Sequence, residues 1–319
     1  MTGPVTKGAG HLSYVKMMDK KTEIFLEYRG LLFSMAYNML GNIDASEDII
    51  QDTYLKWMEV SLDAVRHTKA FLVKIVTNKC INYLNSARVK REEYIGIWLP
   101  EPVQDYDQHT VHAKLESYHA LSIGLLVLLE RLTPRERAVF LLKEIFAYDY
   151  DELVEIFDIT ADNCRQILKR AKENLGKDTR RFEVDIKVHE KVLNNFLRAV
   201  SEGNMEDLIG LLKEDIVLYA DGGGSYIPVN GKRLTANLKP IHGRENVSRH
   251  LGSVMPKIFQ HIPDFHREII FVNGLPSIVS YSGEKPISVV SLEPAGEQIR
   301  NIYVQANPAK LKHFKKTTS

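Results

Sequence analysis

Five side chains between Asn163 and Arg170 are of the types that read a nucleic acid: Asn163, Arg165, Gln166, Lys169 and Arg170. Arg can fork onto guanine, Asn and Gln pair with adenine, and Lys meets phosphate. Among them Cys164, Ile167, Leu168, Ala171 and Leu175 recur at helical spacing, so one helix buries that stripe and leaves the polar five outside. From Thr160 to Arg181 seven Lys/Arg stand against three Asp/Glu. The same pattern also suits an ordinary solvated helix of a bundle. A second basic run, residues 66–91, has seven Lys/Arg and no acid. Lys74, Asn78, Lys79, Asn82 and Arg88 are its candidate contacts to phosphate and exposed bases, with Phe71, Ile75, Cys80, Ile81 and Leu84 mainly core.

The first run needs a scaffold, and residues 133–172 spell a helix-turn-helix. Thr133 is placed to cap a helix, with Pro134 at its first position and Glu136 three residues on. Ala138, Leu141, Leu142 and Ile145 give that helix one apolar face. Asp151 opens a second helix through Phe157, with Leu153, Ile156 and Phe157 inside, and Thr160 caps the third. Cys164 lies on the buried stripe and reads as a small core residue rather than a nucleophile.

With 319 residues, 44% of them apolar, the chain is long enough for two or three domains. Its net charge of +1 confines any nucleic-acid surface to local patches. Two cysteines in separate helical patterns argue against a disulfide framework and for a reducing, cytoplasmic compartment. No His/Cys cluster has metal-ligand spacing, no apolar run is long enough for a membrane span, and no cofactor is implied. Residues 1–20 lack the apolar centre of a signal peptide and read as a disordered leader, with Met17 or Met18 as another start.

Residues 21–92 read as helices. The first stops at Gly41, a C-cap glycine. The second, with Asp44 as candidate cap, places Asp48, Gln51, Asp52, Leu55 and Glu59 on one face, suited to a protein partner or simply to solvent. Residues 94–114 are a Pro-containing linker that includes WLPEP at 98–102, where Trp98 and Leu99 need a docking groove. In this order the segments 21–93 and 115–180 resemble regions two and four of extracytoplasmic-function sigma factors. That resemblance implies core RNA polymerase at Asp48, Gln51, Asp52, Leu55 and Trp57, and promoter DNA at the two basic runs. No separate anti-sigma factor is required.

Residues 187–305 change character. Two helices lead to a strand at 216–220, then come DGGGS at 221–225 and a third helix from Gly243. Four alternating segments follow, separated by turn signals such as Asn273-Gly274. This α+β order resembles SnoaL-like domains of the ketosteroid-isomerase-like fold, carried by a subset of these sigma factors. The expected fold class is therefore multidomain: all-α regions two and four, then an α+β cone and a tail at 306–319. In that subset WLPEP, a DGGGK-like loop and an NPDKL-like tail mark a regulatory extension acting in cis. Here they are Trp98, Leu99 and Pro100; Asp221, Gly222, Gly223 and Gly224, with Ser225 replacing the basic residue; and Asn307, Pro308, Lys310 and Leu311, with Ala309 replacing Asp. Asp221 is expected to accept hydrogen bonds or to pair with a basic residue of 66–91. The alternative is an enzyme or small-molecule sensor fused to a DNA-binding module. Asp221, His242, Asp264, His266 and Tyr303 supply its acid–base types, without a catalytic set among them.

Overall fold

A computed structural model describes residues 8–92, 94–105, 121–176, 185–229 and 232–314. By packing, the chain forms two units. One contains residues up to 85 and 133–171; the other contains 86–105, 121–132 and 172–314.

The first unit is helical. Helix α1 spans Gly8–Leu40, α2 Ile43–Glu59 and α3 Thr68–Glu92, the last running past the unit's edge. Of the leader expected at 1–20, residues 8–20 carry helix backbone, since no Gly or Pro interrupts the chain between Gly10 and Gly30, while residues 1–7 lie outside the described residues. Gly41 ends α1 with φ 63° and its N–H on Tyr37 O at 2.7 Å. Asn42, not Asp44, caps α2: its side chain accepts from Ala45 N at 2.7 Å, leaving Asp44 exposed in the first turn. Leu32, Leu40, Trp57, Leu72, Val73 and Val76 have no exposed surface and centre this bundle.

The helix-turn-helix follows. Helix α4 (Ile123–Leu129) belongs by packing to the second unit, whereas α5 (Pro134–Phe140), α6 (Tyr150–Phe157) and most of α7 (Ala161–Leu175) belong to the first. Thr133 and Glu136 form the reciprocal capping box at α5. Beyond Phe140 the helix widens over Leu141–Ile145, where Phe146 N–H reaches Leu141 O at 3.0 Å, five residues back. Helix α6 is capped by Asp149 with Glu152, two residues before the expected start, since that pair satisfies both first-turn donors. Asp158 closes α6 at φ 52°, and Thr160 Oγ1 accepts from Asn163 N at 3.2 Å to open α7.

The second unit is α+β. Helices α8 (Ile186–Glu202), α9 (Met205–Leu211) and α10 (Arg244–His261) accompany a six-stranded sheet. Its strands are β1 (Leu212–Asp221), β4 (Ile241–His242), β5 (Phe265–Val272), β6 (Leu275–Ser282), β7 (Lys285–Ala295) and β8 (Gln298–Gln305), in the order β4-β1-β8-β7-β6-β5. Strands β2 (Tyr226–Val229) and β3 (Lys232–Thr235) pair separately. Among the described residues only β1 and β8 pair in parallel; the last four strands are the meander expected from their alternation.

Period-two alternation sorts the sheet's side chains between two faces. Ile216, Leu218, Ala220, Ile278, Leu292 and Ile302 pack with Leu193, Phe196 and Leu251 of the helices. Tyr219, Asp221, Tyr303 and Gln305 occupy the other face. There Leu99 of the linker and Ile123 of α4 cluster with Tyr303, while Leu311 and Phe314 of the tail cover Val279, Tyr281 and Val289.

Candidate functional site

On α7 the structure separates the two sets as the spacing predicts. Cys164, Ile167, Leu168, Ala171 and Leu175 are buried, and Asn163, Arg165, Gln166, Lys169 and Arg170 are exposed. Arg165 lies 2.6 Å from Asp162 and stands over the Tyr150 ring at 4.8 Å. Its guanidinium is therefore aimed by neighbours before any partner arrives. Both thiols, Cys80 and Cys164, are buried and held protonated by desolvation, which removes them as nucleophiles.

On α3, Asn78 and Asn82 are exposed, while the Arg88 side chain lies outside the described residues. Lys74 and Lys79 are half-buried and already engaged. Lys74 Nζ donates to both carboxylate oxygens of Asp158 at 2.7 Å and to Glu155 O at 3.1 Å. Lys79 Nζ lies 2.9 Å from Asp52, joining the expected nucleic-acid face to the expected protein-binding face.

On α2 the expected patch is present apart from one residue. Asp48, Gln51, Asp52 and Leu55 are exposed, Leu55 at 62%. Trp57 is corrected: it has no exposed surface and its indole N–H donates to Lys21 O at 2.8 Å. Nine residues from Asp48 is about 180° around a helix, so Trp57 must face the core if Asp48 faces solvent.

The densest polar site is in the second unit, where linker, loop and tail meet. Asp221, at the end of β1, is fully buried. Its Oδ1 accepts from Tyr94 Oη at 2.6 Å and Gly223 N at 3.0 Å. Its Oδ2 accepts from Leu99 N at 2.9 Å and Lys310 Nζ at 2.7 Å, with Gln305 Nε2 at 3.4 Å. Lys310, 6% exposed, also donates to Leu99 O at 2.7 Å, and it sits 4.5 Å from the Trp98 ring centre and 5.0 Å from that of Tyr94. Burial and the Asp221 carboxylate raise the Tyr94 pKa, so its hydroxyl stays a donor. This is a closed clasp: Leu99 of WLPEP supplies one backbone donor and one acceptor, and an Asp–Lys pair meets both.

The expected partner of Asp221 is thereby corrected. The cation comes from the tail, 89 residues away, and not from the basic stretch 66–91. A Lys at 310 supplies the charge that Ser225 lacks. Ala309 is exposed and contributes only its N–H, to Asn307 Oδ1 at 3.0 Å, so the missing Asp leaves no contact empty. The Asn307 amide donates to Tyr94 Oη at 2.9 Å and lies against Gly223, where any Cβ would collide with it; Gly223 also has φ 55°. Leu99, Pro100 and Leu311 are buried; Trp98 is partly so.

Asn273 is a site residue that turn chemistry alone hides. It occupies the Asn-Gly turn at φ 53° yet is buried. Its Oδ1 accepts from Val103 N at 2.9 Å, its N–H donates to Val103 O at 2.9 Å, and its Nδ2 donates to Leu121 O at 2.9 Å. One side chain thus ties the linker and the lead-in to α4 onto the sheet.

The acid–base candidates do not converge. Tyr303 donates to Glu293 Oε2 at 2.8 Å and stacks on Tyr219 on the linker side of the sheet. His266 stacks on Tyr281, and His242 and Asp264 are exposed. None of these four, nor Asp221, lines the cavity between the sheet and α10. No metal-type cluster and no helix long and apolar enough to cross a membrane occurs among the described residues.

Comparison with known proteins agrees with this arrangement. Residues 24–89 match the family model for sigma-70 region 2 and residues 123–175 that for sigma-70 region 4. The chain is 27% identical over 295 residues to the ECF RNA polymerase sigma factor SigJ of Mycobacterium tuberculosis, covering 90% of this chain and 91% of that protein. It is 26% identical to the ECF RNA polymerase sigma factor SigW of Bacillus subtilis over 51% of this chain and 90% of that one. The crystal structure of Mycobacterium tuberculosis SigJ superposes with a TM-score of 0.70 at 23% identity, over 91% of this chain and 98% of that one. With both sigma-70 regions in order and a relative matched across linker and extension alike, the chain is similar over nearly its whole length to an extracytoplasmic-function sigma factor.

Proposed function

We propose that this chain binds core RNA polymerase through Asp48, Gln51, Asp52 and Leu55 and directs it to promoters through α3 and α7. In this reading the α+β extension regulates it in cis through the clasp on WLPEP. The observation that carries the regulatory part is the buried Asp221–Lys310 pair, which binds linker backbone at Leu99 through both charges. A spacer between two DNA-reading segments needs freedom to move with them; one fixed by buried charge does not have it. The role is non-enzymatic and cytoplasmic. The non-enzymatic part is supported by the place of the five named acid–base candidates: Asp221, His242, Asp264, His266 and Tyr303 all lie off the cavity lining. The experiment is run-off transcription with purified core polymerase, the full-length chain and a promoter library. Promoter-specific transcripts are expected, with output altered by clasp variants. No stimulation of core polymerase on any promoter refutes the first part; identical output from clasp variants that fold normally refutes the second.

A further inference from the structure

The α+β unit contains a cavity of about 350 Å³ between its sheet and α10, a size suited to a small ligand. Leu218, Ile278, Val290 and Ile302 form the sheet wall, and Leu251 and Met255 the helix wall. The charge on this lining has one sign. Arg267 and Lys285 reach it, and none of the described lining residues is Asp or Glu.

Arg267 is the informative residue. It is half-buried on β5, donates to Ser201 Oγ at 2.7 Å and lies over the Phe259 ring at 4.7 Å, with Phe265 at 5.8 Å. No carboxylate lies within ion-pair distance of it among the described residues, whereas Arg29, Arg165 and Arg244 each have one. Burial alone pulls its pKa down from the ordinary 12.5, without removing its charge at neutral pH. A partly desolvated guanidinium held on two rings at the end of an apolar cavity lacks an anion. His250, hydrogen-bonded to Asn237 at 3.2 Å on the same lining, is held neutral by burial and by Lys257, so it offers a neutral contact instead.

We propose that this cavity binds an apolar small molecule carrying a carboxylate, its hydrocarbon part between the sheet and α10 and its carboxylate at Arg267 beside Lys285. The far end of the cavity gives the site a consequence. Strands β8, β7 and β6 separate β1 from β5, and on the β1 side the lining is Gly222, Ser225, Ala306 and Pro308. Asp221 and Asn307, neighbours of these residues, hold the linker on the other side. A ligand long enough to press on Gly222 and Ala306 therefore acts on the clasp; this coupling rests on the regulatory reading above, while the binding does not.

The test is isothermal titration of the full-length chain with decanoate and with decanol, each below its aggregation concentration. Decanoate is expected to bind once per chain, and decanol at least about tenfold more weakly, the worth of a charge-assisted hydrogen bond. Arg267→Met should bring decanoate down to the level of decanol, Arg267→Lys should restore part of the difference, and Val254→Trp, which fills the cavity, should abolish both. Thermal unfolding of each variant checks that the unit is intact. No binding of either probe, equal binding of the two, or an Arg267→Met variant that binds decanoate like the parent overturns the proposal. Trp98 emission recorded in the same titration reads the clasp. A decanoate-dependent change supports the coupling, and saturable binding without one overturns the coupling alone. The variant Asp221→Asn should still bind decanoate, so failure of the clasp and failure of the site are distinguishable.

Discussion

Lys310→Met removes the only cation bonded to Asp221 among the described residues and keeps most of the side chain's volume. Asp221 has no exposed surface, and its carboxylate would keep Tyr94 Oη, Leu99 N and Gly223 N as donors without a counter-charge. Leaving one member of a buried pair alone costs about 3–5 kcal/mol. The helix-facing core of the unit is not touched by the change. The cheapest relief is therefore local: residues 94–102 lift away and water reaches the carboxylate, while the sheet stays folded. At about 3 kcal/mol the open population rises by roughly 150-fold. Amide hydrogen exchange reads this directly, because the Leu99 N–H is bonded to Asp221 and its protection should fall by about that factor. Promoter output should change in the same variant. A double variant, Asp221→Asn with Lys310→Met, has no buried charge left and should recover part of the protection. Unchanged exchange at Leu99 in a protein with parental thermal stability would refute the reasoning, as would a double variant less protected than Lys310→Met.

Arg165→Ala should cost about 1–3 kcal/mol of promoter binding and relax the preference at one base pair, since a bidentate base contact is lost; equal binding across a promoter library argues against this docking. Asp52→Arg should weaken association with core polymerase, measured by co-migration on a sizing column, because it reverses charge on the exposed face that includes Leu55. Gly223→Ala should weaken the clasp, as it forces a Cβ onto Asn307 at a positive φ, and should shift Trp98 emission at constant far-ultraviolet circular dichroism. His189 donates to Pro276 O at 3.0 Å in a buried setting that lowers its pKa below the ordinary 6.5. The unfolded ring therefore takes up a proton first as pH falls, so stability is full above about 6.5 and declines below it by up to about 1.4 kcal/mol per pH unit. His189→Gln should flatten that decline in thermal midpoints measured from pH 7.5 to 5.

What was legible in the sequence was what periodicity and capping encode locally. The stripe at Cys164, Ile167, Leu168, Ala171 and Leu175, the capping box at Thr133 and the meander from Phe265 to Gln305 all lie where their spacing puts them. The burial of Leu99 followed from an apolar pair in a polar linker. The clasp chemistry did not follow. Asp221 and Lys310 are paired by the β1–β8 register, which no local pattern specifies, and Lys310 sits in a tail that reads as polar. Asn273 hid behind a good turn signal because its φ and its side-chain bonds serve different purposes. Trp57 was misplaced by the resemblance to region two, which carries the whole matching stretch over to the interface, whereas the residue's phase on α2 turns it into the core. Helix α4 reads as part of the helix-turn-helix and matches region 4, yet its Ile123 packs with Leu99 and Tyr303, because apolar side chains on six of its seven positions leave it no solvent face.

Within the helical unit the same weighing of buried against exposed contacts tells which ones resist promoter engagement. Regions two and four touch there. Arg137 of α5 donates to Met39 O at 2.7 Å in a buried position, and Met35, Met39, Val76 and Cys80 share an apolar crevice with Ala138, Leu141 and Leu142. Lys74 and Asp158 make an ionic contact between the two regions, with side chains 34% and 75% exposed. An exposed pair of that kind is worth about 0–1 kcal/mol and is screened by salt. A phosphate approaching α3 can therefore take Lys74 from Asp158 at little cost, and Lys79 from Asp52 likewise. The Arg137 bond and the crevice are another matter: a buried charge-assisted hydrogen bond is worth about 1.5–3 kcal/mol, before the apolar surface is counted. Under the proposed docking, attraction between promoter phosphate and the basic helices would free the lysines but leave that interface closed. Separating the two regions must draw on binding energy from elsewhere, and under the proposed docking a protein partner on the exposed face of α2 would supply it.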